Sequence, residues 1–471
     1  TQMLRSDWGS DTYALHFDGV YRDNGDSPGP DGDIANSAVQ TKTGALGGSV
    51  FSDWGYAGAS VSRYLNEYGN PAEPGDGIDP GVTLDMQQTR YDTKLGFNKP
   101  IDGLDAIKLA YSYTDYQHTE FEGDEVGTQF FSTGQQFRAE AVHSSSERHK
   151  GAFGVQAQKK EFEAVGAEAF IPSTESSGYG LFIVEQFNRG KFKYELGARF
   201  DDNSSGADGF DKRSFNLYSA SAAGRYAING NFDVTLNLDH AERSPVEEEL
   251  YSDGLHAATA AYEIGDPDLV KEKANQIEMG VHFHSERFEA KVAIYHNSFD
   301  DFIYLSGTGL FFDDDGELLP IRQWTQSDAT FKGYEAELTV KLGGEDYDSD
   351  LRFFIDGVQA EKSDGENLPR IPASRFGAEW TWNVSGWSGG LSLTRTNAQN
   401  DTASYETPTD GYTLVNANVN YLFHDGDSSS WEAFLQGTNL GNQEAYAATS
   451  AIKDLVPLPG RNIFAGIRVY F

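Results

Sequence analysis

The stretch QIEMGVHFHSERFEAKVAI, residues 276–294, alternates apolar and polar side chains on both sides of a short turn at residues 285–287. Before the turn the apolar positions are Ile277, Met279, Val281 and Phe283, and after it they are Phe288, Ala290, Val292 and Ile294. Most of the positions between them are polar or charged. A period of two is typical of β-strands, whose successive side chains point to opposite faces. The stretch therefore predicts two strands, each with one apolar and one ionic face.

The same alternation recurs along the chain, in KFKYELGARF (191–200), NFDVTLNLDH (231–240) and RNIFAGIRVYF (461–471). In a soluble sandwich the apolar faces would meet in a core. In a membrane barrel they would face lipid, while the polar faces line the lumen. Alternation by itself does not choose between these two architectures.

The lengths of the connections between the strands distinguish the membrane barrel from the soluble sandwich. Short joints such as FNRGK (187–191), INGN (228–231) and HSER (284–287) alternate with long polar loops, for example residues 24–38 and 69–82. Outer-membrane barrels have short periplasmic turns and long extracellular loops. The sequence therefore predicts an all-β fold, a transmembrane antiparallel β-barrel formed by residues 1–471 as one domain.

About 21 strands can be counted, whereas single-chain bacterial barrels have even numbers. If Phe471 ends a strand that descends to the periplasm, the first segment, TQMLRS, also descends. We therefore expect a barrel of 22 strands whose first, ascending strand precedes Thr1. A lumen of this width is normally closed by a plug, and no segment of this sequence is expected to form one.

Composition and charge exclude several classes of partner and binding site. The 471 residues include 73 acidic and 36 basic side chains, for a net charge of −37, which excludes nucleic acid as an expected partner. Cations are the expected counterpart. No apolar run approaches the length of a membrane helix, and there is no cysteine to form a disulfide or a thiolate metal site. One short helix is predicted in SPVEEELYSDG (244–254), with Ser244 as its cap.

Residues 243–281, RSPVEEELYSDGLHAATAAYEIGDPDLVKEKANQIEMGV, resemble the late-barrel signature of TonB-dependent outer-membrane receptors. Three further segments resemble the zinc-uptake subfamily of those receptors: SRYLNEYGNP (62–71), YTDYQHTEFEGDEVGTQF (113–130) and GAFGVQAQKKEFEAVGAEAFIPST (151–174). The resemblance implies a 22-stranded barrel in the Gram-negative outer membrane. It also implies an N-terminal plug, and import energised by the TonB–ExbB–ExbD system through that plug.

The candidate metal ligands are His118 with Asp115, Glu120 and Glu122 around it, and His256. Imidazole and carboxylate groups suit zinc. In the resemblance, the two histidines match those of the subfamily's Y-x-H-x-E and ELYS-x-G-x-H patterns. The alternative is that both are ordinary hydrated loop histidines. No cofactor is required, although bound Zn or Ca ions are expected.

Acidic segments are expected on the side of the long loops, where they would make a negative mouth that attracts cations and lipopolysaccharide-bridging ions. These segments are residues 31–34, 73–79, 121–125, 311–317 and 361–367. The polar wall of the lumen is expected to include Arg199, Glu278, Glu335, Glu337 and Arg468. Phe471 resembles the terminal aromatic residue that the barrel-assembly machinery recognises.

These observations predict an active importer of a scarce nutrient, with zinc as the first candidate and another metal or a metal chelate as the next. Two other interpretations remain open: a passive diffusion channel, and a surface-binding barrel without TonB coupling. No enzyme is expected, because the only resemblance to a catalytic motif is GDSPG (25–29), which lacks the strand-to-helix elbow of a nucleophile.

Overall fold

The computed structural model describes residues 1–72, 75, 81–166, 169–314, 316–344, 347–426 and 429–471. These residues contain 25 strands, and four of them, with two to four residues each, are short, which leaves 21 long ones. This count confirms the number of strands predicted from the alternation. One α-helix and one 3₁₀ helix, Ala257–Thr259, lie in the connection after β14.

The strands in chain order are β1 Gln2–Gly9, β2 Tyr13–Asn24, β3 Ser27–Pro28, β4 Asp33–Ile34, β5 Val39–Ser52, β6 Gly55–Gly69, β7 Val82–Asn98, β8 Ala106–Glu122, β9 Glu125–Ser146, β10 His149–Gly166, β11 Thr174–Arg189, β12 Phe192–Ala207, β13 Arg213–Ala227, β14 Phe232–Arg243, β15 Asp253–His256, β16 Ala261–Ile264, β17 Glu272–His284, β18 Phe288–Asp314, β19 Glu317–Lys341, β20 Tyr347–Lys362, β21 Arg375–Val384, β22 Trp387–Thr396, β23 Tyr412–Gly426, β24 Ser429–Thr438 and β25 Asn462–Tyr470. The helix α1 spans Glu247–Tyr251.

Each long strand pairs antiparallel with the long strands before and after it. In the described part of the chain, β1 pairs with β2 alone and β25 with β24 alone. The short strands β3 and β4 form a separate pair, and β15 and β16 are inserted between β14 and β17. The result is one continuous meander, which is the topology of an up-and-down barrel.

The two faces of the strands differ as the alternation predicts. Ile277, Met279 and Val281 are exposed on β17, whereas Glu278, on the opposite face, accepts a hydrogen bond from the side chain of Asn237 on β14. In a soluble sandwich the three apolar residues would be buried. Their exposure fits an outer face that contacts acyl chains, with a polar face turned toward the lumen.

Short turns join the strands at one end, and most long connections lie at the other. Two acidic segments that we expected to be long loops are instead tight turns. The pair β8–β9 turns between Glu122 and Glu125, and the pair β18–β19 turns between Asp314 and Glu317. Strands β18 and β19 contain 27 and 25 residues, more than the roughly ten that cross a bilayer, so this hairpin projects well beyond the membrane. Most of residues 73–79 lie outside the described residues.

The predicted helix is present, but its cap differs from the prediction. The N-cap is Val246, whose backbone N–H donates to the side chain of Glu249, so Ser244 does not cap the helix. Leu250 and Tyr251 of α1 pack with Leu269 in a buried apolar cluster. This cluster fixes the helix against the inserted segment. Among the described residues, no helix is long and apolar enough to cross a membrane.

Candidate functional site

The connection between β14 and β17 carries the candidate site at the end of the barrel where the long connections lie. It runs through α1, β15, the 3₁₀ helix and β16. Strand β16 then pairs in parallel with β19, with Glu263 opposite Arg322. This pairing ties the insert to the projecting hairpin, so the insert has a fixed position at the extracellular mouth.

An ionic group anchors the start of the insert. Arg243 Nη1 donates to both carboxylate oxygens of Glu249, at 3.0 and 2.8 Å, and Nη2 donates to Glu272 at 3.1 Å. Both glutamates are buried. Charge-assisted bonds of this kind are stronger than neutral ones and fix the orientation of planar groups. They hold α1 against the barrel.

Three side chains converge at the centre of the insert. One ligand atom from each of Glu248, His256 and Glu263 lies within 4.8 Å of the other two. Bonds of about 2.1 Å to a tetrahedral zinc ion put ligand atoms roughly 3.4 Å apart. The group therefore needs to contract by little more than 1 Å to hold an ion.

Glu263 is fully buried, and its two oxygens differ. Oε1 accepts a hydrogen bond from Thr259 Oγ1 at 2.8 Å and lies 3.1 Å from His256 Nδ1. Oε2 is buried and has no hydrogen-bond partner among the described residues. Leaving a buried carboxylate oxygen unpaired costs free energy. The carboxylate of Glu263 thus combines an unpaired buried oxygen with membership of a three-ligand group, a combination that favours a cation site.

The charges in the group are coupled. Burial and then the negative charge of Glu263 raise the pKa of Glu248. Burial opposes ionisation of both His256 and Glu263, but their hydrogen bond and mutual attraction raise the pKa of His256 and lower that of Glu263. A divalent cation would satisfy both carboxylates at once and displace the imidazole proton, because a metal ligand must be deprotonated.

The structure brings His118 toward the same group. His118 stacks on Phe130 with ring centroids 4.2 Å apart, and His256 stacks on Phe170 at 4.5 Å. Phe130 and Phe170 belong to one buried cluster. In addition, the charge of Glu120 contributes to the raised pKa of His256. The two histidines selected from the sequence therefore flank a single aromatic cluster.

His118 lies near the extracellular end of β8, beyond the ten or so residues that cross the bilayer. Tyr116 bonds to its Nδ1 at 2.9 Å, and Glu120 lies 4.0 Å from its Nε2. Burial lowers the pKa of His118 to about 4. The imidazole is thus neutral at physiological pH, the form that binds metals.

Two of the predicted ligands do not join the group. Asp115 is one residue out of phase with Tyr116, His118 and Glu120, so its side chain points to the opposite, outer face of β8. Asp115 is therefore not among the ligands of the group described above. Glu122 has the same phase as His118 but is exposed at the tip of the strand.

The predicted wall residues lie on the polar face. Arg199 binds Asp201, Glu337 lies 2.6 Å from Arg352, and Arg468 lies 2.7 Å from Glu432. Glu278 accepts a hydrogen bond from the side chain of Asn237 at 2.9 Å. Glu335 is exposed on the same face of β19 as Glu337. Their contact with a transported ligand remains a prediction.

A cavity of about 840 Å³ adjoins the site on the lumen side. Glu248 lines its upper part, and β8 to β13 supply most of its wall, mainly with serine, threonine, glutamine and asparagine side chains, for example Ser132, Gln158 and Asn203. Neutral polar groups of this kind can replace water molecules around a small polar solute without holding it tightly. Glu248 is therefore shared between the ligand group and the lumen.

Neither Glu248 nor Glu263 was among the candidate ligands predicted from the sequence. The run Glu247–Glu249 offers three identical side chains, and only the helix geometry shows their separate roles. Glu249 accepts hydrogen bonds from Arg243, and Glu247 forms an ion pair with Lys160. Glu248 lies close to His256. No local pattern in the sequence distinguishes them.

The fold is that of a transmembrane β-barrel, and the candidate site at its mouth brings together two carboxylates and an imidazole. Residues 6–440 match the family described as TonB dependent receptor-like, beta-barrel, and the chain belongs to that family. Members are proteins of the Gram-negative outer membrane, so this assignment places the chain there and, in general terms, in nutrient import.

Solved structures share the fold. The copper transporter OprC aligns with a TM-score of 0.84 at 17% identity, covering 99% of this chain and 78% of that one. The FrpB iron transporter from Neisseria meningitidis (F3-3 variant) aligns with a TM-score of 0.77 at 13% identity, covering 98% and 78%. The siderophore receptor PirA from Pseudomonas aeruginosa aligns with a TM-score of 0.70 at 14% identity, covering 100% of this chain and 76% of that one. At these identities the similarity shows the fold alone.

Proposed function

We propose that this chain is the barrel of a TonB-coupled importer for a divalent metal ion, with zinc as the first candidate, presented free or as a chelate. Glu248, His256 and Glu263 would capture the ion at the extracellular mouth, with His118 and Glu120 beside them. The observation that carries the proposal is the carboxylate of Glu263, which belongs to a three-ligand group and whose buried Oε2 has no hydrogen-bond partner among the described residues.

The ligand chemistry supports a metal of the zinc type. Imidazole together with carboxylate oxygens suits Zn(II), whereas Cu(I) prefers thiolate or thioether ligands. The group has no sulfur, and the chain has no cysteine. The names of OprC and FrpB give copper and iron as the cargo of those proteins. We therefore include other divalent metals as candidates after zinc.

Transport would proceed from the ligand group into the adjoining cavity. Glu248 belongs to both, so a small movement of α1 would carry the ion from the buried carboxylate of Glu263 toward the lumen wall. The family implies that energy comes from the TonB system, acting on a plug within the barrel. The negative charge of the whole chain would raise the local concentration of cations at the mouth.

Zinc titration of the purified protein in detergent, followed by isothermal calorimetry, tests the site. Glu263→Gln keeps the shape but removes the charge, and we expect it to weaken zinc binding by about 100-fold or more, since even outer-sphere changes cost 10- to 100-fold. Glu247→Gln removes a neighbouring carboxylate of the same helix that is not a ligand. Equal affinity in the two variants would refute the site.

Uptake by intact cells separates import from passive diffusion. We expect uptake of radioactive zinc at limiting concentration to require both the barrel and a functional TonB protein. A barrel that supplies zinc equally well without TonB, or that conducts ions freely in a planar bilayer when purified with any plug it carries, would instead be a diffusion channel.

A further inference from the structure

Another cavity lies in the barrel wall near the short turns, at the opposite end of the barrel from the mouth site. It has a volume of about 500 Å³, and strands β10 to β14 supply most of its lining. Its charged lining residues are four basic ones and two acidic ones: Arg148, Lys150, Lys193, Arg225, Glu147 and Glu195. Such a local excess of positive charge is unexpected in a chain with a net charge of −37.

The strand register places this cavity on the lumen face of the barrel. Lys150, Gln186 and Glu195 lie opposite one another on β10, β11 and β12. The same row of side chains continues across β13 and β14 to Glu278, which is on the polar face of β17. Side chains one residue out of phase with this row, such as Leu196, are apolar and exposed. The lysine therefore faces the lumen and not the acyl chains.

Two of the basic residues are direct neighbours in the sheet. Lys193 on β12 lies opposite Arg225 on β13, in phase with Glu195 and so on the same lumen face. The Cβ atoms of directly opposite residues are about 5 Å apart, and like charges at this distance repel each other. The charge of Arg225 is balanced, because its guanidinium donates to both oxygens of Asp233, at 2.9 and 2.7 Å. The charge of Lys193 is not balanced in this way.

Neither Lys150 nor Lys193 forms an ion pair with any carboxylate in the described part of the chain. Glu195 borders the same cavity, but its carboxylate accepts a hydrogen bond from the neutral side chain of Gln186 at 2.6 Å. Lys159, near the other end of β10, shows the contrast, because it forms ion pairs with two glutamates. The two lysines of the cavity thus leave positive charge available to an anion from solution.

The spacing of the two lysines indicates the kind of anion that fits. Lys150 and Lys193 are two strands apart across the sheet and one row apart along the strands, which separates their Cα atoms by about 12 Å. Their flexible side chains shorten the distance between the ammonium groups, but a ligand with several anionic groups can bind both lysines at once. The volume of the cavity lies in the range of small-molecule sites, roughly 300–1,000 Å³.

We propose that Lys150 and Lys193 form a binding site for a small multivalent anion, a polycarboxylate, on the lumen wall near the periplasmic turns. The side chain of Asn188 lines the same cavity, and its amide can donate a further hydrogen bond to a carboxylate. The existence of this site does not depend on the proposed function. Its role in transport does rest on that function: a polycarboxylate that accompanies the metal ion would bind here before release.

Calorimetric titration of the complete protein with metal-free citrate, in a low-salt buffer, tests this proposal. We expect Lys150→Gln/Lys193→Gln to weaken citrate binding by about 10-fold or more, because it removes two charge-assisted hydrogen bonds. Lys94→Gln/Lys191→Gln removes the same charge from two lysines outside this cavity; it is the matched control and should bind citrate as wild type does. Glu195→Gln removes a negative charge from the cavity and should instead strengthen binding, by about 3-fold.

Wild type that does not bind citrate, or a Lys150→Gln/Lys193→Gln variant with wild-type affinity, would overturn the proposal. Inorganic phosphate, a single small anion, should bind about 10-fold more weakly than citrate or worse, because it cannot reach both lysines at once; equal affinity would contradict the multivalent ligand. The two sites are separated by Glu263→Gln, which should bind citrate as wild type does. If it also binds zinc normally, the mouth site fails while the anion site stands. The heat-dependent gel mobility of each variant verifies that the barrel is folded.

Discussion

Replacing Arg243 with methionine should loosen the segment that carries the mouth site without touching a proposed ligand. In the structure the guanidinium makes three charge-assisted bonds to Glu249 and Glu272. The carboxylate of Glu249 also accepts a hydrogen bond from the backbone N–H of Val246, and that of Glu272 accepts one from the backbone N–H of Ile303. The substitution leaves two carboxylates without their cation while their backbone partners remain.

The size of the effect follows from burial. The two glutamates are 6% and 8% exposed, and removing one partner of a buried ion pair costs about 3–5 kcal/mol. The side chain of Arg243, however, is 40% exposed, so water already screens part of the attraction. We therefore expect about 2 kcal/mol, which would increase the open population of the insert roughly 30-fold.

Hydrogen exchange measured by mass spectrometry provides the assay. Amides of residues 247–252 should exchange about 30-fold faster in Arg243→Met, and zinc affinity should fall with them. Arg225→Met is the matched control, because Arg225 also donates to a buried carboxylate, that of Asp233, at the other end of the barrel. Unchanged exchange in residues 247–252 of Arg243→Met, or an equal increase in the control, would show that this ion-pair group does not anchor α1.

Three further outcomes are expected. Leu250→Ala leaves a cavity at a fully buried position of α1 and should destabilise the packing of the helix by about 2–5 kcal/mol. Calorimetry should therefore show weaker zinc binding. The control Leu391→Ala, on the lipid-facing side, should bind zinc as wild type does. Gly55→Ala, at φ 137° with its Cβ against a neighbouring backbone oxygen, should lower the folded fraction on gels more than Gly209→Ala, which has φ 86° and open space. His118 has a pKa of about 4, below its unfolded value of 6.5. The unfolded state therefore binds the proton first, and with a chelator present wild type should lose about 3 kcal/mol of stability between pH 6.5 and 4. Urea titrations in which His118→Phe keeps the same pH dependence would contradict this assignment.

The barrel was predictable because its signal is local. Alternation with a period of two identifies a strand from four to eight neighbouring residues, and the lengths of connections require only the order of the strands. The same rule applies to the candidate ligands on β8. Asp115 and His118 differ in parity, so alternation alone places their side chains on opposite faces of β8. Proximity in the sequence therefore does not by itself bring the two side chains together.

Strand length was less predictable than strand number. The segments 121–125 and 311–317 contain Gly and several acidic residues, a composition typical of loops. The structure continues the strands through most of both segments. Outside the membrane a hairpin has water on its outer face, so its side chains need not alternate between apolar and polar, and the pattern that identifies membrane strands fades.

The sequence by itself determined the class of fold, the number of long strands and two histidines worth testing, since each depends on residue type and spacing. The tertiary structure decided which groups meet. Glu248 reaches Glu263 because the insert folds back and β16 pairs with β19, and Lys150 and Lys193 border one cavity because β10, β11 and β12 pair in a fixed register. Such contacts arise from the register of strands that are distant in the chain, and register is fixed by the packing of the whole sheet.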